Sequence, residues 1–257
     1  MLTFGGHLEV FRRMLFRILA VTMCIAAVVF CLKEPTFEML LAPSRPDFAT
    51  YRWIEQAMQL ISPGFRFEEY HVELIATQLA SQFMTHITTS IYLGLLGASP
   101  YILYELFSFI SPALYENERR YSVHVLLTVY LLFIAGLLMS YYVIFPISFR
   151  FLGTYSVAEA VRNTITIDSY ISSFVTLSLL MGVVFQLPVI AFFLGKMGIL
   201  TAPMLARYRR HAIMVIAVVA AVITPPDVMS LILVAIPLYL LYEVSIRIVA
   251  WTGKKTE

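Results

Sequence analysis

The stretch FSFISPALYENERRYS, residues 107–122, places Glu116, Glu118, Arg119 and Arg120 on one short connection behind Phe107, Phe109, Pro112 and Tyr115. Charges fixed at such a point can pair with one another, with lipid phosphate, with helix carbonyls or with a charged ligand. By residue type alone, ENERR reads as a solvated turn that marks topology. A second charged group, HLEVFRR at residues 7–13, carries Glu9, Arg12 and Arg13. Elsewhere the chain offers little chemistry. It has no Walker-type loop, no HExxH and no Gly-x-Gly-x-x-Gly, so neither a nucleotide cradle nor a catalytic metal motif is present. In YLGLLGASP, Ser99 is followed by Pro100 rather than by glycine, which argues against an intramembrane serine protease. Gly94, Gly97 and Ala98 there read as small residues where helices pack closely. Histidines 7, 71, 86, 124 and 211 have no spacing that puts two on one face, and no metal or other cofactor is expected. Cys24 and Cys31 lie seven apart on one helix face, about 10 Å along the axis, too far to pair within the helix.

The elements that must position these groups are apolar. Of 257 residues, 60% are hydrophobic and 13% charged, and the mean hydropathy is +0.83. Soluble domains average about 45–50% apolar and about 25% charged, so the chain reads as an all-α integral membrane protein in a single membrane domain. A net charge of +2 with scattered basic residues gives no nucleic-acid footprint. Runs at about 14–32, 83–107, 122–146 and 168–195 meet the length of about 20 residues that a bilayer core requires. Two more, about 211–224 and 228–243, are short and flank the turn signal TPPD at 224–227, giving a six-span reading whose last hairpin is short. Pro100, Pro188 and Pro237 lie inside spans and should bend them, and Gln186 in VVFQLPV is a polar group deep in a span that wants partners.

With both termini on one side, that side holds Arg12, Arg13, Arg17, Arg119, Arg120, Lys196, Arg207, Arg209, Arg210, Arg247, Lys254 and Lys255, which is 12 of the 18 basic residues. The positive-inside rule places that side in the cytoplasm. The connection at about 33–82 becomes an external cap, and Trp53 together with VELIATQLASQF suggests an amphipathic helix lying over the outer face. Glu105 and Glu243 fall near cytoplasmic helix ends and Asp227 near the external turn, so no acid sits at the midplane as ion coupling would favour. The echo between PYILYEL and PLYLLYEV is short and one residue out of register from its prolines, and does not count as a repeat. A six-span secondary transporter moving an ion-coupled solute remains the alternative from a different class.

In matching order from His7 to Glu243, the segments HLEVFRR, SPYILYELFSFISPALYENERR, FQLPV and TPPD resemble the signature segments of the TatC family, the receptor subunit of the twin-arginine protein translocase. The loop is the most specific part, through Phe109, Pro112, Leu114, Tyr115, Glu118, Arg119 and Arg120. The resemblance implies six helices in a concave, glove-like bundle with both termini inside, in the cytoplasmic membrane of a bacterium. It implies a noncatalytic receptor and assembly platform exporting folded proteins under the proton-motive force. The implied partners are small single-span TatA-type subunits and, in many systems of the family, a TatB-type subunit, in a multimeric complex, together with membrane lipid and the twin-arginine signal peptides of cargo proteins.

By the same resemblance, Glu118 is an acid that receives a signal-peptide guanidinium, with Phe109, Arg119 and Arg120 in the same site. The N-terminal pattern of the family runs roughly His-Leu-x-Glu-Leu-Arg-x-Arg. A one-residue deletion aligns Glu9 with the family acid and Arg13 with its last arginine, leaving Phe11 where an arginine is usual; an ungapped alignment puts Val10 at the acid and Arg12 at the first arginine. The deletion is preferred because it keeps a carboxylate near the membrane surface. Pro43, Pro112, Gln186 and Asp227 are expected as structural or cavity-lining residues. Gln186 stands where the family commonly has a glutamate, so either neutral amide chemistry suffices there or the role has moved elsewhere.

Overall fold

Long apolar runs form the helices, and the interruptions fall where a proline removes a backbone donor. The computed structural model describes residues 4–62, 64, 72–110, 122–156, 158 and 163–253. In chain order it contains α1 (Phe4–Cys31), α2 (Lys33–Leu41), α3 (Ala49–Gln59), β1 (Leu74–Ile75), α4 (Ser81–Gly97), α5 (Ser99–Ile110), α6 (Ser122–Met139), α7 (Phe145–Thr154), β2 (Ile165–Thr166), α8 (Ile167–Val184), α9 (Leu187–Lys196), α10 (Ala202–Arg207), α11 (Arg209–Ile223) and α12 (Val228–Gly253). Among the described residues, Leu8–Cys31, Val125–Thr154, Ile167–Lys196 and Val228–Thr252 are helical runs long and apolar enough to cross a membrane.

The run 83–107, expected as the second span, is built of two helices that meet at Ala98, because Pro100 cannot donate to the carbonyl one turn back. The expected fifth span is α11, of 15 residues. The expected end of the third span at Pro146 is passed. A five-residue π-helical segment, Ser140–Ile144, absorbs the proline and the helical path continues through α7. Pro188 sits just inside α9, after the turn Phe185–Gln186, whereas Pro237 is held within continuous α12, which runs ten residues beyond the expected end at Glu243. The segment VELIATQLASQF is not a helix over its length: Leu74 and Ile75 pair in parallel with Ile165 and Thr166, and helix resumes at Ser81. The helix of the cap that carries Trp53 is α3.

The chain divides into two compact units, Met1–Met39 with Gln78–Leu131, and Leu40–Thr77 with Leu132–Glu257. In the first, α4 packs along α1 at backbone distance. A Cβ at Gly94 would stand 2.7 Å from Ala26 Cβ and 2.8 Å from the Thr22 carbonyl oxygen, so glycine is required there. His86 stacks on Phe30 at 4.2 Å and meets the edge of Phe37. On α1, Leu15, Phe16, Leu19, Met23 and Val28 are exposed, as befits a lipid-facing surface.

The second unit is built on aromatic edges. Phe145 meets Tyr170 and Phe174, and Phe149 meets Tyr170, each with centroids at 5.0 Å and near-perpendicular rings. Hydroxyls then tie irregular backbone to helices. Tyr51 donates to the Pro43 carbonyl at 3.0 Å and the Pro146 carbonyl at 2.8 Å, Tyr170 donates to the Leu40 carbonyl at 2.8 Å, and Thr50 donates to the Tyr142 carbonyl. Buried carbonyls outside regular helix need such partners. Gly136 lets α6 approach α8, since a Cβ there would fall 2.6 Å from the Met181 carbonyl oxygen. After α9, Gly198 at φ +72° closes the helix with a bond from Ile199 N to the Leu194 carbonyl.

Candidate functional site

In the first unit, α1 and α5 bring together three of the residues expected at the site. Glu9 and Arg13, one turn apart on α1, meet at 2.5 Å with both side chains at least half exposed. Phe109 on α5 packs against Phe11 on α1 at 5.8 Å. Phe11 thus seats Phe109, and the contact anchors the C-terminal end of α5.

Glu105 and Arg17, which by sequence mark only a helix end and the basic side of the chain, join this seam. Glu105, 9% exposed, accepts a hydrogen bond from the Tyr101 hydroxyl at 2.7 Å and faces the Arg17 guanidinium at 3.5 Å. A buried carboxylate must be paired or hydrogen-bonded, and this one is both. The signal for it was Tyr101 four residues before Glu105, the spacing that stacks side chains on one helix face. The same Tyr-x-x-Tyr-Glu run recurs at 239–243 in the second unit. There Tyr239 donates to Glu243 at 3.1 Å, and Arg209 grips Glu243 with Nε at 2.8 Å and Nη2 at 2.9 Å. Tyr242 adds a bond to the Leu205 carbonyl, so α10, α11 and α12 are clamped together.

Pro43, Gln186 and Asp227 belong to the second unit. Pro43 is fully buried in a single 3-10 turn, its carbonyl held by Tyr51. Gln186 occupies the turn between α8 and α9, where its carbonyl accepts from Val189 and Ile190 at 3.0 Å and its side-chain amide lies 3.5 Å from the Gly182 carbonyl. Asp227 caps α12, with Oδ1 accepting from Ser230 N at 2.7 Å. Pro112, Glu118, Arg119 and Arg120 lie outside the described residues. Among the described residues, no group of three or more His, Cys, Asp and Glu side chains is placed to hold a metal ion.

The family model for Sec-independent protein translocase protein (TatC) matches residues 6–237. The Sec-independent protein translocase protein TatC of Blattabacterium sp. is 32% identical over 98% of this chain and 96% of its own length. TatCy of Bacillus subtilis is 38% identical over 70% of this chain and 71% of its own. A crystal structure of the twin arginine translocase receptor TatC superposes with a TM-score of 0.75 at 31% identity, covering 96% of this chain and 99% of that one. Helical membrane architecture and these matches define a component of a Sec-independent protein translocase, not an enzyme. The chain belongs to the TatC family.

Proposed function

We propose that this protein is the twin-arginine signal-peptide receptor and core assembly platform of a translocase that exports folded proteins under the proton-motive force. It works in the cytoplasmic membrane of a bacterium, crosses it six times with both termini inside, and assembles with TatA-type and TatB-type single-span subunits. The observation that carries the reading is the α1–α5 seam, where an exposed Glu9–Arg13 pair and the Phe11–Phe109 contact lie at the end of the helix that leads into ENERR. Carboxylates at that surface match the chemistry of two adjacent guanidinium groups, each permanently charged and able to take a carboxylate with two parallel hydrogen bonds. The likeness to a crystal structure of a twin arginine translocase receptor supports the same role.

The test is a pull-down of the detergent-solubilised protein on immobilised signal peptide. Retention by a twin-arginine peptide and none by its twin-lysine counterpart is the expected result. Equal retention by both would contradict the receptor role.

A further inference from the structure

The two Tyr-x-x-Tyr-Glu runs differ in how their carboxylates are satisfied. Glu243 is closed: Arg209 approaches with two nitrogens at 2.8 and 2.9 Å, one to each carboxylate oxygen, and Tyr239 adds a third bond. These are the distances of fully formed charge-assisted hydrogen bonds. Glu105 is open by comparison. Its tyrosine is in place at 2.7 Å, but its arginine stops at 3.5 Å, and the Arg17 side chain is 63% exposed while that of Glu105 is 11% exposed. A buried carboxylate has a strong requirement for a cation, and the resident one meets that requirement through a single long contact. Arg17 can also leave without stranding its own charge, because a long exposed arginine at a membrane surface reaches lipid phosphate.

We infer that Glu105 is a guanidinium-binding carboxylate of the receptor, taking up one arginine of the signal peptide in exchange for Arg17. The inference rests on the receptor reading above and deepens it by naming a further specificity-determining residue. Its place supports the assignment. Glu105 lies one turn before Phe109 on α5, and Arg17 one turn after Arg13 on α1. Along this seam the protein therefore carries two successive carboxylate–arginine pairs, Glu9–Arg13 and Glu105–Arg17, each with an exposed arginine. A ligand with two adjacent guanidinium groups is the chemical counterpart of such a pair of acids. A lysine offers a compact, strongly hydrated charge that fits a planar two-oxygen acceptor less well.

The experiment measures peptide binding by full-length protein in membrane vesicles, with twin-arginine and twin-lysine signal peptides as probes and binding normalised to folded protein recovered by size exclusion. Glu105→Gln keeps the shape and the tyrosine contact but removes the charge, and should weaken twin-arginine binding about tenfold, the scale of one charge-assisted contact. Arg17→Gln should tighten it, since the resident competitor is gone. Glu243→Gln should lower the yield of folded protein without changing binding per folded molecule. Wild-type affinity in Glu105→Gln, with wild-type discrimination against lysine preserved, would overturn this inference while leaving the receptor reading standing. An equal loss in Arg17→Gln and Glu105→Gln would also overturn it, by making the pair a structural clamp. Failure of the wild-type protein to discriminate at all would overturn both.

Discussion

Glu9 and Arg13 form a contact that costs little to open. A solvent-exposed pair one turn apart on a helix is worth about 0.3–0.5 kcal/mol, so in the proposed receptor it would offer little resistance to a guanidinium that replaces Arg13. Glu9→Gln should accordingly leave thermal stability of the solubilised protein unchanged within about 0.5 kcal/mol while reducing crosslinking to a twin-arginine peptide. Full crosslinking would remove Glu9 from the site. At this scale the sequence is informative where chemistry is local. Asp227 can be read from the turn signal TPPD and proves to be a helix cap, and Glu9 and Phe109 stand in recognisable runs. Glu105 is hidden for a physical reason: its ion-pair partner is 88 residues away, and only packing of α5 on α1 brings Arg17 to it. The local half of that node, Tyr101 four residues earlier, is visible, yet its echo at 239–243 does not register as a repeat because the prolines are out of register although the tyrosines and glutamates are not.

Helices meet in this protein through missing side chains as much as through present ones. At Gly94 the nearest obstacles to a Cβ are the Ala26 side chain and the α1 backbone itself, neither of which can turn away. Gly94→Val should overpack the α1–α4 contact at a cost of about 1–3 kcal/mol or more, read as a lower melting temperature in detergent. An unchanged melting temperature would mean that α4 does not lie against α1 as described. Length is the second lever. With 15 residues α11 extends only about 22 Å against a hydrocarbon core of about 30 Å, a mismatch that local thinning of the bilayer can absorb. Lengthening α11 by four leucines between Ile216 and Val222 should spare signal-peptide binding and lower transport, measured in vesicles with a folded cargo. Undiminished transport in a correctly inserted variant would separate helix length from the mechanism. Hydropathy locates the long apolar runs, and proline spacing marks the interruptions near Pro100 and Pro188. The π-helical detour before Pro146 and the parallel pairing of Leu74–Ile75 with Ile165–Thr166 are not legible in the sequence, because both depend on neighbours rather than on periodicity.

For the molecule as a whole, the proposed orientation rests on the division of basic residues, 12 of 18 falling on the side that a six-span topology gives to both termini. Single cysteines at Asn117 and Lys255 should label only from the cytoplasm and one at Glu69 only from outside, in a protein whose Cys24 and Cys31 have been replaced. Labelling of position 117 from outside in intact cells would contradict the six-span topology. The proposed receptor reads paired arginines with fixed acids on its cytoplasmic surface, and Glu118 in the ENERR loop is the acid that the family resemblance adds to those of the α1–α5 seam. Removing a charge-assisted contact costs about 1.5–3 kcal/mol, with the lower end suited to a partly screened surface site, and reversing the charge should do worse by setting like charges together. The most direct measurement is therefore site-specific crosslinking in membrane vesicles between Glu118→Arg receptor and two signal peptides, the natural twin-arginine form and one with an arginine replaced by glutamate. The first crosslink should be lost and the second partly recovered, at unchanged receptor level. A wild-type yield from the twin-arginine peptide on the Glu118→Arg receptor would contradict it.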